Sequence, residues 1–175
     1  MTLRIGYRVR QFLAALNLRR ESIDKAAFEA YLSKAQIELF QRMPASEQRH
    51  GLAVLHTLEK KGYSDAALAQ AALLHDVGKT GGQVRLWHRV AAVLLPAVHP
   101  TLLHRIARDR PGSWHYQFYI QLQHAARGAT MAAQAGTDAL AVALIRWHHT
   151  PPTTSGLDAQ GQALLAALQL ADEQN

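Results

Sequence analysis

Residues 72–79 read ALLHDVGK, an apolar run that ends in an adjacent histidine and aspartate. Apolar residues at spacings of three and four predict a helix that starts near Asp65 and reaches His75. Gly78 is expected to end this helix, because glycine is common just beyond helix ends. The sequence therefore predicts that His75 and Asp76 lie together at the end of an apolar helix.

The same helical spacing recurs along the chain, and no segment alternates convincingly at period two. We therefore expect an all-α fold. A single domain at 1–175 is expected as well, because a division into two would leave both halves with marginal cores. The predicted helices lie at about 24–43, 46–61, 65–75, 124–135, 138–149 and 157–172.

Two further segments differ in composition from the predicted helices. Residues 1–20 carry five arginines among apolar residues and no acid, which we interpret as a docking helix. Residues 80–123 contain glycine and proline breaks and many aromatic side chains, which indicates an irregular or helical insertion, or a lid over a site. This insertion would separate His75 and Asp76 from a further histidine at position 124.

Composition excludes several classes of protein. With 49% hydrophobic and 18% charged residues the chain is too apolar to be disordered, and without cysteine it can form neither disulfides nor thiolate ligands. The best membrane candidate, residues 90–103, is too short and is interrupted by prolines, so we expect a cytoplasmic protein without membrane insertion. A net charge of +6 favours anionic partners such as phosphate esters or nucleotides, whereas no motif for binding nucleic acid is evident.

Seven side chains are candidate metal ligands, each at or near a predicted helix end or on a helix face. Imidazole nitrogen and carboxylate oxygen commonly hold divalent metals, and a carboxylate can bridge two ions because it has two oxygens. Seven such groups could hold two metals. The candidates are His50, His75, Asp76, His124, His148, His149 and Asp172.

The order of these residues resembles that of the HD-domain metal-dependent phosphohydrolases, whose pattern is an early histidine, a His-Asp pair and a late aspartate. His50, the pair at 75 and 76, and Asp172 match those positions. Residues 72–79 read like the central motif of the family, and QLAD at 169–172 reads like its closing helix. The resemblance implies an HD-domain helical bundle.

A subset of this family, which includes the HD-GYP phosphodiesterases, adds a histidine followed four residues later by glycine, and then a His-His pair. His124 with Gly128, and the pair His148 and His149, are similar to those additions. Residues 150–157 read TPPTTSGL and lack the Asp-Gly-x-Gly-Tyr-Pro signature of the subset. The resemblance therefore stops short of a cyclic dinucleotide as substrate.

The resemblance implies two divalent metal ions, drawn from Fe, Mn, Co, Ni and Zn, with Asp76 as the bridge between them. One ion would be held by His50, His75, Asp76 and Asp172, and the other by Asp76, His124, His148 and His149. A water activated by the metals would attack phosphorus in a phosphorylated small molecule, a nucleotide or a phosphodiester.

Four basic residues are candidates for contact with the phosphate group. Lys79 matches the lysine that ends the family's central motif, and we expect it to stabilise a phosphate oxygen or the leaving group, a catalytic role beside Asp76. Arg127, Arg85 and Arg146 are further candidates for binding substrate.

Two other classes of function stay open at the level of sequence. Some HD-fold proteins hold a diiron centre with nearly the same histidine and aspartate set and cleave carbon bonds using oxygen. Others have lost turnover and act as nucleotide-binding signalling modules, although every expected ligand position is filled in this chain.

Overall fold

A computed structural model describes residues 23–81 and 106–175. The expected docking helix at 1–20, Arg85 and residues 82–105 of the expected insertion lie outside these ranges. All regular secondary structure of the described residues is helical and none of it is strand, which confirms the all-α prediction. Its α-helices are α1 (Lys25–Glu29), α2 (Lys34–Gln41), α3 (Ala45–Lys60), α4 (Ala66–Leu74), α5 (Trp114–Gln134), α6 (Ala139–Trp147) and α7 (Ala159–Gln174). Short 3₁₀ helices occupy Val77–Lys79 and Pro152–Thr154.

Capping side chains explain where most of these helices begin. The carboxylate of Asp65 accepts a hydrogen bond from the backbone N–H of Leu68 at the start of α4. Asp138 caps α6 in the same way, and Asp158 caps α7. Each of these caps starts a helix whose apolar face is buried against the core.

The segment before α3 differs from the prediction of one helix at 24–43, which is wrong. Two helices replace it, and they are separated by a turn that ends at Ser33. The side chain of Gln36 accepts a hydrogen bond from the backbone N–H of Ser33 at 2.7 Å, so a new helix starts there with its own cap. Gln36 also reaches Thr137 across the core.

Helix α4 lies at the centre of the fold, where it packs against α3, α6 and α7. Its side chains from Leu68 onward are almost all buried, and Ala71, Ala72 and Leu74 have no exposed surface. Burial of one leucine side chain is favourable by about 1.5–3 kcal/mol, so the helix is held mainly by its apolar surface. His75 and Asp76 therefore emerge from the most buried helix of the described chain.

The 3₁₀ helix after Asp76 packs directly on the backbone of α5 at two glycines. A Cβ atom built on Gly78 would lie 1.9 Å from the carbonyl oxygen of His124 and 2.6 Å from the backbone nitrogen of Gly128. From the other side, a Cβ atom on Gly128 would lie 3.1 Å from the backbone nitrogen of Gly78. Only glycine at position 78 permits this approach, which brings Asp76 beside His124.

Helix α5 begins at Trp114, ten residues before the predicted start near His124. Residues 114–123 therefore form the first half of a regular helix, so the predicted helix start near His124 is wrong, whereas an insertion or lid at 80–123 stays a prediction. Phe118 and Ile120 in this half are buried. Their burial outweighs the modest helix propensity of its aromatic residues, which had obscured the pattern.

The last helix is anchored at its end. Leu165 and Leu168 are fully buried, and Lys61 donates a hydrogen bond to the side chain of Gln174 at 2.8 Å. Asn175 donates a further one to Thr57. These contacts hold the final turn on α3, so Asp172 has a defined position. Across the two described stretches, no helix combines the length and the apolar character that crossing a membrane requires.

The contact at Gly78 leads to a prediction about stability. Gly78→Ala should lower the free energy of unfolding by about 3 kcal/mol or more, because backbone atoms must move apart to admit the methyl group. Gly62→Ala is the control, since Gly62 has a φ of +86° but nothing near its Cβ position, and it should cost about 1–2 kcal/mol. Urea denaturation followed by circular dichroism measures both. Equal losses would show that the close contact is not a constraint.

Candidate metal centre

The seven predicted ligands come from five helices and lie in one continuous cluster. His50 is on α3, His75 and Asp76 follow α4, and His124 is in the middle of α5. His148 and His149 directly follow α6, and Asp172 lies in the last turns of α7. Every member lies within 3.6 Å of another member through side-chain nitrogen or oxygen atoms.

One half of the cluster consists of His50, His75, Asp76 and Asp172. The first three each offer a ligand atom within 4.8 Å of the others. Asp172 joins them through its Oδ1, which lies 2.8 Å from the Nε2 of His50 and 3.6 Å from the Nε2 of His75. We call these four residues the first half-site.

The other half consists of His124, His148 and His149, whose ligand atoms also lie within 4.8 Å of one another. The Nε2 of His124 is 3.2 Å from that of His148 and 2.9 Å from that of His149. We call these three residues the second half-site.

Asp76 lies between the two half-sites. Its Oδ2 is 3.6 Å from the Nε2 of His75, and its Oδ1 is 3.6 Å from the Nε2 of His124. Each oxygen of one carboxylate thus faces a different half-site. This is the arrangement in which a carboxylate can bridge two ions.

Backbone contacts orient the three buried histidines. The Nδ1 atom of His75 is 2.9 Å from the carbonyl oxygen of Ala72, three residues earlier in its helix. His124 and His148 make the same contact to their own third preceding residues, at 2.8 and 2.6 Å. A neutral imidazole that donates its Nδ1–H to a carbonyl has its lone pair on Nε2. In their neutral forms these rings therefore direct Nε2 lone pairs into the cluster, as metal-binding histidines do.

The convergence of these lone pairs leaves buried polar atoms in need of a cation. Neutral His124 and His148 cannot hydrogen bond to each other through Nε2, since each donates from Nδ1 instead. The buried Nε2 of His75 has no hydrogen-bond partner, and both neighbouring carboxylate oxygens stand at 3.6 Å. An orphaned buried nitrogen is costly unless something binds it. Both half-sites could hold a metal ion, and their donor sets fit one.

Electrostatics also favour metal binding at the second half-site. Burial, with a contribution from Lys79, lowers the pKa of His124 to about 4. Burial and neighbouring histidines lower the pKa of His148 to about 3 and that of His149 to about 4. All three imidazoles are therefore neutral near pH 7, and a neutral imidazole is the form that binds a metal.

In the first half-site the pKa of a buried histidine is raised instead of lowered, because this half-site contains the carboxylates. Burial alone would lower the pKa of His75, but the carboxylates of Asp76 and Asp172 outweigh it and raise that pKa to about 9. Burial would raise the pKa of Asp76, but Lys79 and the nearby imidazoles hold it well below its usual range. In the absence of metal, a proton on His75 supplies the positive charge that the two carboxylates require.

Lys79 lies at the edge of the cluster and contacts two carboxylates. Its Nζ is 2.5 Å from the Oδ2 of Asp76 and 3.3 Å from the Oε2 of Glu47. Glu47 was not among the site residues predicted from the sequence. The signal was present, because Glu47 falls on the same stripe of α3 as Gly51, Val54 and the other buried residues of that helix, where an acid is unusual.

The arginines fall in three different settings. Arg127 donates hydrogen bonds from its guanidinium to the carbonyl oxygens of Gly78 and Thr80 and to the hydroxyl of Tyr116. This brace holds the 3₁₀ helix against α5, a role that the sequence did not indicate. Arg146 is exposed in the last turn of α6, and Arg85 is outside the described residues. Substrate binding by these three arginines stays a prediction.

Comparisons with protein families, curated proteins and solved structures find no match to this chain. The chemistry of the cluster is therefore the basis for a functional proposal. Three or four protein ligands per half-site leave coordination positions for water or substrate on metals that take five or six ligands.

Metal binding at the second half-site can be tested by thermal unfolding. Excess Mn²⁺ or Zn²⁺ should raise the unfolding temperature of the wild-type protein, because an ion at 100 times its Kd stabilises the fold by about 2.7 kcal/mol. His149→Ala should reduce this increase, since His149 is a ligand candidate that is exposed and can be removed without opening the core. His56→Ala, an exposed histidine on α3 outside both half-sites, is the control. An equal increase in all three proteins would place the ions elsewhere.

Proposed function

We propose that this protein is a metal-dependent phosphohydrolase of the HD-domain type that cleaves a phosphate ester. The observation that carries the proposal is the position of Asp76, with one carboxylate oxygen toward each half-site. Paired metals about 3.5–4 Å apart are typical of phosphatases and nucleases. The motif order that resembles the HD family supports the same conclusion.

The charge of the cluster supports an anionic substrate. Asp76, Asp172 and Glu47 contribute three negative charges and Lys79 one positive charge, which gives −2 when the imidazoles are neutral. Two divalent cations would change this charge to +2. A site of that charge attracts a phosphate group and stabilises the charge that develops on it during hydrolysis.

Exposure indicates the side from which a substrate would approach. The side chains of His75, Asp76 and His124 are at most 6% exposed, whereas those of His50, Asp172 and Lys79 are 23–26% exposed. His149 is exposed as well. The buried members form the floor of the site and the others form its open rim, so the Lys79 ammonium is placed to meet a phosphate oxygen.

The residues of the chain have distinct roles in this proposal. Bound metals would supply Lewis-acid chemistry, neutralising phosphate oxygens and lowering the pKa of a water. The Nδ1 contacts hold three imidazoles in the ligating orientation, and Arg127 braces the loop that carries Asp76 and Lys79. Lys79 would stabilise a phosphate oxygen or the leaving group. Nucleotides and phosphodiesters are the substrate classes we favour.

Elemental analysis followed by a substrate panel tests the proposal. The protein supplied with Mn, Fe, Co or Ni should hold close to two ions per chain and hydrolyse phosphomonoesters or phosphodiesters. Asp76→Ala should lose at least about 100-fold in activity and part of its metal, because removal of the bridge affects both ions. Asp24→Asn is the control, since Asp24 only caps α1 and asparagine also caps helices.

Two outcomes would contradict the proposal. Full hydrolysis by Asp76→Ala would show that the reaction occurs elsewhere. A redox-active diiron centre with no hydrolysis of any phosphate ester would instead favour the oxygen-dependent class of HD-fold enzymes.

A further inference from the structure

The Lys79 ammonium contacts a carboxylate oxygen that a metal ion in the first half-site would also bind. The ammonium contacts the Oδ2 of Asp76 at 2.5 Å. The same oxygen faces the Nε2 of His75 at 3.6 Å, so it is the oxygen that an ion shared by His75 and Asp76 would bind. An ammonium and a divalent cation on one oxygen would lie a few ångströms apart and repel each other strongly in a buried setting.

Glu47 offers a second location for the ammonium. Its Oε2 is 3.3 Å from the Nζ of Lys79, and its side chain is only 7% exposed. A buried carboxylate needs a nearby positive charge or strong hydrogen bonds, because its loss of hydration is costly. The Lys79 ammonium lies between two acids, so it can approach one of them as it moves away from the other.

The two acids are on separate structural elements, so a shift of the ammonium from one acid to the other would be a shift from one element to the other. Asp76 follows α4, whereas Glu47 is in the first turn of α3, three residues before His50. Glu47 and His50 therefore lie on neighbouring turns of one helix face. An ammonium that moves to Glu47 would stay beside the first half-site without occupying its ligand oxygen.

We infer that Glu47 is a positioning residue that draws Lys79 away from Asp76 when a metal ion binds the first half-site. In the metal-free protein the Lys79 ammonium supplies to Asp76 the positive charge that a metal ion would otherwise supply. In the metal-loaded protein the ammonium is held by Glu47 at the rim, where it meets the phosphate group. This last step rests on the proposed function, whereas the exchange itself requires only that the half-site binds metal.

A double-mutant cycle on metal affinity tests the exchange. The proteins are the wild type, Glu47→Gln, Lys79→Met and the double variant, and the probe is Mn²⁺ alone, with the free ion counted by electron paramagnetic resonance. Glu47→Gln should weaken Mn²⁺ binding about tenfold, since Asp76 is then the acid that the ammonium contacts among the described residues. The double variant should recover that loss and bind within about threefold of Lys79→Met, because the competing cation is gone.

Glu47→Asp provides a second variant that keeps the charge. It should bind Mn²⁺ more tightly than Glu47→Gln, and it replaces that variant in the comparison if glutamine at position 47 prevents folding. Wild-type affinity in Glu47→Gln would overturn the inference. A double variant that binds Mn²⁺ about tenfold more weakly than Lys79→Met would also overturn it, because the effect of Glu47 would then not act through Lys79.

The result of this double-mutant cycle can be distinguished from the result of the hydrolysis assay. Recovery of affinity in the double variant, without hydrolysis of any phosphate ester by the wild type, would support the exchange and reject the phosphohydrolase. Hydrolysis without coupling between positions 47 and 79 would do the reverse.

Discussion

The contact between the backbone of Gly78 and the His124 turn of α5 is the constraint on which the candidate site depends. It brings the 3₁₀ helix so close to α5 that no side chain fits between them. Asp76, two residues before Gly78, is thereby held 3.6 Å from the Nε2 of His124. A wider separation would leave two histidine clusters that share no carboxylate.

Burial then determines the character of the cluster. Helix α4 is apolar except for Gln70, and it places His75 and Asp76 in a region with almost no access to water. Polar groups in such a region need partners, and three imidazoles use one nitrogen on their own helix backbone and direct the other inward. The inward nitrogens face one another or carboxylates. Lys79 and a protonated His75 supply positive charge beside the carboxylates, whereas the imidazoles of the second half-site face one another.

The sequence was sufficient for most helices and for the selection of the ligand candidates. The apolar pattern placed α4 and α6 correctly, because it agrees there with burial and with the caps at Asp65 and Asp138. The order of motifs was enough to select seven side chains that lie together, although they are up to 122 residues apart. Their metal binding stays a prediction, since composition and order do not determine what occupies a site.

The remaining features depend on contacts that only the fold supplies. The early start of α5 follows from burial of Phe118 and Ile120, which outweighs local propensity. The brace made by Arg127 requires the carbonyl groups of Gly78 and Thr80 to lie beside α5. Glu47 is recognisable as unusual from its place on an apolar stripe, but its partner Lys79 is 32 residues away and unrelated by any local pattern.

Anomalous X-ray diffraction from crystals grown with Mn²⁺ tests the central claim most directly, because it locates metal ions without reference to activity. The proposed bridging role of Asp76 predicts two anomalous peaks about 3.5–4 Å apart, one beside each half-site, with the Asp76 carboxylate between them. A single peak, or two peaks of which neither contacts Asp76, would contradict it.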